Sequence, residues 1–172
     1  MVPSSTFSRI AFNIVVLGRT DSHRHVIFCM ILTSKNNYKT RGRAVLDTWG
    51  KRCDKTFYFV GKVIANESFI TSLNINDDYE HLPSKTYGGL KYIEAKFHDE
   101  YDWIVKADDD TYIIVNNLRQ FLVSEDHSRP VSFGLKFYKY FPNGYFSGGA
   151  SYILSREAVK KVISANKAEV VA

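Results

Sequence analysis

Apolar and polar positions along the chain change period several times, and each change marks an element. Residues 26–32 form a nearly continuous apolar run of strand length, the pattern of a strand covered on both faces. A polar loop follows at 33–37. Residues 40–49 then read as a helix, with Ala44, Val45 and Trp49 toward one side and Gly50 as its stop. Trp49 is expected to pack this helix onto the sheet. Residues 56–60 (TFYFV) are a second strand ended by Gly61, and residues 74–78 are loop-like. Leu90, Ile93, Phe97 and Tyr101, spaced by three and four, predict a helix over 84–101, with Gly88 and Gly89 weakening its first turns. Residues 103–107 form a short strand, 111–115 a further β-rich stretch and 118–122 a short helix. Residues 131–135 read as a strand leading into a hairpin closed near 142–144. A strand at 151–154 and a helix capped by Ser155, carrying Ala158, Val159, Val162 and Ile163, end the pattern. Strands alternating with helices predict an α/β domain, a mainly parallel sheet with flanking helices on both sides. Ligands of such sheets gather at the carboxyl ends of the strands.

Composition narrows this picture little. A chain of 172 residues with 45% hydrophobic content is one globular domain with a real core, not a disordered segment. The formal charge of +5 suits an anionic ligand, but the basic residues are scattered among acids. That scatter excludes nucleic acid as the main partner. Residues 1–24 read as an N-terminal tail or a remnant targeting segment, and 25–172 as the folded domain. The apolar stretch 10–17 is broken by Asn13 and falls far below the ~20 residues of a membrane span. The two cysteines, Cys29 and Cys53, are too few for a zinc site or a disulfide scaffold. They are either buried thiols or one disulfide, the latter worth about 3 kcal/mol. Asn66-Glu67-Ser68 is a glycosylation sequon, meaningful in a secretory compartment.

Chemistry concentrates at Asp108-Asp109-Asp110, directly after the apolar strand. Three adjacent carboxylates repel one another unless a cation neutralises them. In extended geometry Asp108 and Asp110 share a side and turn toward one ligand. A hard divalent cation held there bridges to phosphate oxygens and stabilises charge on a departing nucleoside diphosphate. The alternative is an exposed acidic loop.

Six blocks in order carry a resemblance: CMILTSK, RAVLDTWGKRC, LPSKTYGGLKYI, YDWIVKADDDTY, VSFGLKF and GYFSGGASYILSREAV. Over roughly residues 26–165 the chain resembles the fringe-like β-1,3-glycosyltransferases, and within them the core 1 β-1,3-galactosyltransferases. The resemblance implies a GT-A-like fold and inverting, Mn2+-dependent transfer of galactose from UDP-galactose to O-linked GalNAc on glycoproteins. It implies Asp110 and Asp108 as metal ligands and Asp109 as a donor contact. Arg41, Arg43 and Lys85 become candidates to approach the nucleotide. Gly148, Gly149 and Tyr152 fall on the acceptor side, where Tyr145 is a further candidate to stack on sugar, and Cys29 and Cys53 match a paired set. Ser151 stands where the related block more often has Gly, which is expected to crowd the acceptor side slightly. Relatives of this kind are type II Golgi membrane proteins, lumenal and roughly double this length, and a homodimer is a further expectation. Their acidic catalytic motif and late metal-binding His lie beyond the blocks seen here. All five histidines (His23, His25, His81, His98, His127) precede the SGGAS block, and the chain is therefore expected to be an incomplete, C-terminally truncated donor-binding domain. Its catalytic base remains unknown, and the alternative function is an inactive donor-binding fragment or a non-catalytic helper of the same family.

Overall fold

The computed structural model describes residues 24–62 and 69–169. Its centre is a six-stranded sheet in the order β3-β2-β1-β4-β8-β5. Four strands, β1 (Ile27–Leu32), β2 (Lys55–Val60), β3 (Ile70–Ser72) and β4 (Trp103–Asp108), run parallel. On the far side of β4, β8 (Tyr152–Ser155) pairs antiparallel to both β4 and β5 (Ser132–Gly134). A separate hairpin pairs β6 (Lys136–Phe137) with β7 (Tyr145–Phe146). The α/β expectation holds, with the sheet mixed rather than purely parallel.

The unbroken apolar run of β1 is explained by what covers it. Ile27, Cys29 and Ile31 pack with Val45 and Trp49, and with Leu118 and Leu122 of α3 (Val115–Leu122). Phe28, Met30 and Leu32 pack against Leu90 and Ile93 of α2 (Leu82–Phe97), and Val159 and Ile163 of α4 (Arg156–Glu169) join that layer. A strand with helices on both faces has no polar side to show. Gly89 contributes by what it lacks. A Cβ there would stand 2.9 Å from the Met30 sulfur and 3.2 Å from the Phe59 ring, so glycine lets α2 lie close on the sheet.

Several elements depart from the pattern. The helix expected over 40–49 is broken into a wide turn at Tyr38–Gly42, a short α1 (Arg43–Asp47) and a tight turn at Gly50–Arg52. Ala44 faces solvent while Val45 and Trp49 are buried. α2 begins earlier than expected because Pro83 fits a first helical turn, where its missing N–H has no partner to lose. It stops at Phe97, and Tyr101 packs beyond the helix against Phe28. The β-rich stretch 111–115 forms no strand. The Thr111 carbonyl accepts a hydrogen bond from the Trp49 indole Nε1 at 3.0 Å instead of a strand partner. Ser155 caps α4 as expected, its Oγ accepting from the Ala158 N–H at 3.1 Å.

Cys29 and Cys53 form a disulfide with Cα atoms 6.1 Å apart, tying β1 to the turn before β2. Of the tail expected at 1–24, only Arg24 is described, its guanidinium donating to Asp54 at 2.9 Å. The Asn66 sequon also lies outside the described residues. Among those described, no helix is long and apolar enough to cross a membrane.

Candidate active site

From β1 the chain leaves toward β2 and β3 on one side, while β4 lies on the other. The sheet order therefore reverses between β1 and β4, and a crevice opens where their carboxyl ends diverge. Leu32 and Asp108 are paired at that point, so Thr33 and Asp109 emerge side by side. The aspartate run sits there, lining a cavity of about 360 Å3 together with Thr33, Arg41, Asp77 and Lys85.

The three carboxylates have three different environments. β4 ends at Asp108 and the chain turns, so the strand alternation that would align Asp108 with Asp110 does not extend to Asp110. Asp108 Oδ1 accepts from Lys106 Nζ at 2.6 Å. Asp109 points inward: it is buried, and its Oδ2 accepts from the Thr33 hydroxyl at 2.6 Å. Burial pushes the Asp109 carboxyl above its usual range, with the Thr33 hydrogen bond opposing the rise and the charges of Asp110 and Asp108 adding to it. Asp110 is open, its side chain 63% exposed, with Arg41 Nη1 at 3.5 Å. The same guanidinium nitrogen lies 3.9 Å from Asp109 Oδ1.

Arg41 thus stands in the site. Arg43 does not: its Nε donates to Asp47 Oδ2 at 3.0 Å on exposed α1, because two positions along the winding chain rotate the side chain away from the crevice. Lys85 lines the cavity but is engaged within the protein, donating to the Thr33 carbonyl at 2.7 Å and to Asp77 Oδ1 at 2.6 Å. Asp77 gathers further donors from the N–H groups of Gly61 and Lys35. Burial works against its charge, but the Lys85 hydrogen bond and those two N–H groups outweigh it and hold the carboxyl below its usual range.

A second, larger cleft of about 890 Å3 adjoins the first, and Tyr79, Leu82 and Asp108 belong to both. Gly148, Gly149, Tyr145 and Tyr152 line it. Lys106 connects the two, since its Nζ also donates to the Gly148 carbonyl at 3.0 Å. A Cβ on Gly149 would meet nothing within 4 Å, so that position is open to the cleft. Tyr152 stacks on Phe146, and burial pushes its phenol up to about 12, so the hydroxyl stays protonated near neutrality.

Thr33, Asp77 and Lys106 are members of the site that the sequence pattern did not single out. Lys106 left a signal, a lone cation inside the apolar run WIVKAD. Thr33 and Asp77 left none, being polar residues in segments already read as loops.

A mainly parallel α/β sheet with an aspartate run at its switch point, facing paired clefts, is the arrangement of a GT-A-like glycosyltransferase fold. Residues 54–144, just over half of the chain, match the Galactosyltransferase family, and the chain belongs to it. Similar proteins include glycoprotein-N-acetylgalactosamine 3-beta-galactosyltransferase 1 of Xenopus laevis, 35% identical over 138 residues that cover 80% of this chain and 38% of the frog protein. Beta-1,3-glucosyltransferase of Mus musculus is 29% identical over 80% of the chain and 28% of its own length. Chondroitin sulfate synthase 3 of Homo sapiens is 23% identical over 81% of the chain and 18% of its own length. The chain thus spans well under half the length of these relatives.

Proposed function

We propose that this chain is the donor-binding part of an inverting, Mn2+-dependent β-1,3-galactosyltransferase. In this reading it uses UDP-galactose and acts on GalNAc linked to Ser or Thr of glycoproteins in the Golgi lumen. The observation that carries the reading is the aspartate run at the switch point, shared between a small polar cavity and a larger cleft.

The donor set suits the metal. It is all oxygen, as a divalent ion such as Mn2+ prefers. Asp108 keeps one carboxylate oxygen beyond its contact with Lys106, and Asp110 is open to solvent. Asp108 and Asp110 would hold the ion, whose charge would stabilise the departing nucleoside diphosphate. The protein's own residues do the rest of the positioning. Asp109, fixed by Thr33, faces the donor from the cavity floor. Arg41 lies beside the acids and adds positive charge toward the diphosphate. Lys106 holds Asp108 and the Gly148 carbonyl in one arrangement, so the metal-binding carboxylate and the acceptor side keep a set spacing. The disulfide and the Asn66 sequon accord with a lumenal setting.

Titrating UDP into the chain, with manganese and then with excess chelator, tests the reading. Binding that requires manganese, and that disappears in Asp110→Ala while the melting temperature stays within about a degree or two, is the expected result, because exposed positions contribute little to stability. UDP binding of equal strength in the variant or in chelator would sink the site assignment. Binding without transfer to a GalNAc-peptide would instead identify a donor-binding fragment or a non-catalytic helper. The glucosyltransferase relative makes donor choice a second question, answered by comparing UDP-galactose with UDP-glucose in the same titration.

A further inference from the structure

We propose that His25, Asp102 and His127 form a cation site for a zinc-class transition metal, at the end of the sheet opposite the aspartate run. Each residue offers one ligand atom, and these atoms all lie within 4.8 Å of one another. No other set of three such side chains converges this way among the described residues. Asp102 is the hub. Its Oδ2 lies 3.7 Å from His25 Nδ1, and its Oδ1 lies 3.3 Å from His127 Nε2. Ligands about 2.0–2.1 Å from a tetrahedral zinc stand roughly 3.3 Å apart, a spacing the His127 pair already has and toward which His25 would close by side-chain rotation.

The donor chemistry separates this cluster from the aspartate run. Two imidazoles and one carboxylate suit zinc or cobalt, whereas an all-oxygen set suits manganese or magnesium. The three side chains are 17–25% exposed, which shields the ligands and leaves room for a water as a fourth. Asp102 is already oriented, because Oδ2 accepts the Val26 N–H at 2.8 Å. The two rings meet edge to face at 5.4 Å, and His25 is braced edge-on against Trp103. Asp102 and Asp108 stand at opposite ends of β4, roughly 20 Å apart at the rise of a strand.

The ligands come from three separated stretches: the segment before β1, the segment before β4, and the connection between α3 and β5. A metal bound to all three would tie those stretches together and stabilise the fold in proportion to its occupancy. One group opposes it. Arg156 Nη2 lies 3.5 Å from His127 Nδ1, on the ring nitrogen turned away from Asp102. That contact favours the tautomer with its proton on Nε2, the atom the metal needs, so binding must move the ring proton to Nδ1, where it faces the guanidinium, at a cost in affinity. Removing the guanidinium relieves the opposition.

The test uses the whole chain stripped of metal by chelator, with zinc or cobalt as the only added ligand. Both cysteines are in the disulfide and supply no competing thiolate. One equivalent of zinc is expected to bind, to raise the melting temperature, and to shift the imidazole 15N resonances of His25 and His127 together. Cobalt is expected to give visible absorption bands of a four-coordinate site. His127→Gln should weaken zinc at least ~10-fold, Arg156→Gln should tighten it, and Asp108→Asn/Asp110→Asn should leave it unchanged. Imidazole resonances that stay fixed at saturating zinc would overturn the proposal, and this measurement on the unmodified chain decides the matter even if a histidine variant fails to fold. Zinc binding retained in a folded His127→Gln, or lost in the double aspartate variant, would overturn it equally.

Discussion

In β1 and β4 every residue except Asp108 is buried, whereas β5, β6 and β7 contain no buried residue at all. The parallel strands are clamped between helices on both faces. The antiparallel flank pairs with β4 through β8, adds the packing of Phe133 on Trp103 and Phe121, and carries the hairpin at its edge. Around that hairpin Leu135, Phe137, Tyr138, Tyr140 and Phe141 are exposed, all more than 40% accessible. Unpartnered buried polar groups occur in both halves, the Tyr58 hydroxyl and the Trp103 indole Nε1 among them, but the buried charges lie in one. In the parallel half, Thr33, Lys85, Lys106 and Asp109 are buried with their charges or hydroxyls engaged. In the flank, buried Ser151 has no partner for its Oγ and adopts φ 65°, the left-handed region that favours glycine. A frame with its charges engaged holds the carboxylates that need fixed positions. The looser flank forms the open wall of the larger cleft.

Breaking the frame should cost the most. Asp77→Asn removes the negative partner of Lys85, whose side chain is only 4% exposed, and is expected to destabilise the fold by about 3 kcal/mol at pH 7. The sign with pH follows from linkage. The folded-state pKa of Asp77 is depressed, so its contribution is present above the unfolded value near 4 and is lost as pH falls through the folded one. Urea melts of wild type and variant should therefore differ at pH 7 and converge toward pH 2. A gap that persists undiminished in acid would mean the carboxylate charge is not what holds the crevice wall.

Thr33→Val takes one hydroxyl from a buried carboxylate and is expected to cost about 2 kcal/mol. It should also raise the Asp109 titration further, because the lost hydrogen bond opposes the upward shift. Carboxyl 13C chemical shifts followed against pH would show this, and an unmoved midpoint would mean that Thr33 does not hold Asp109 inward.

The smallest effect, and the one of opposite sign, belongs to the flank. Ser151→Gly relieves a left-handed backbone and deletes an unpartnered hydroxyl, so it should stabilise by about 1 kcal/mol. Thermal melting reads it directly. A destabilised Ser151→Gly would show that the flank is as tightly specified as the parallel strands. Ser in place of Gly was expected to crowd the acceptor side; the Ser151 side chain is buried and does not line the larger cleft.

The strand framework was legible because a strand covered on both faces is apolar nearly throughout, a pattern that residues 26–32 show and that 56–60 and 103–107 break only at Thr56 and Lys106. The long helix was legible from its spacing, although Pro83 and the early end at Phe97 moved its limits. Residues 111–115 misled for a definite reason. Their β-branched side chains suit a strand, but no strand edge is there to pair with, and Trp49 takes the Thr111 carbonyl. Arg41 and Arg43 are equivalent on paper, two basic residues two apart, and only the winding of a broken helix turns one into the crevice and the other toward Asp47.

The sequence by itself determined that this is an α/β domain with three aspartates at a strand's carboxyl end, because burial periodicity and a local acidic run need no distant partner to be recognised. The tertiary structure alone decided which aspartate turns inward to Thr33, which is held by Lys106 and which stays open. It also brought Asp102 and His127 to His25, from which they lie 77 and 102 positions away along the chain. Such meetings depend on strand order and register, which place residues side by side that no spacing along the chain relates.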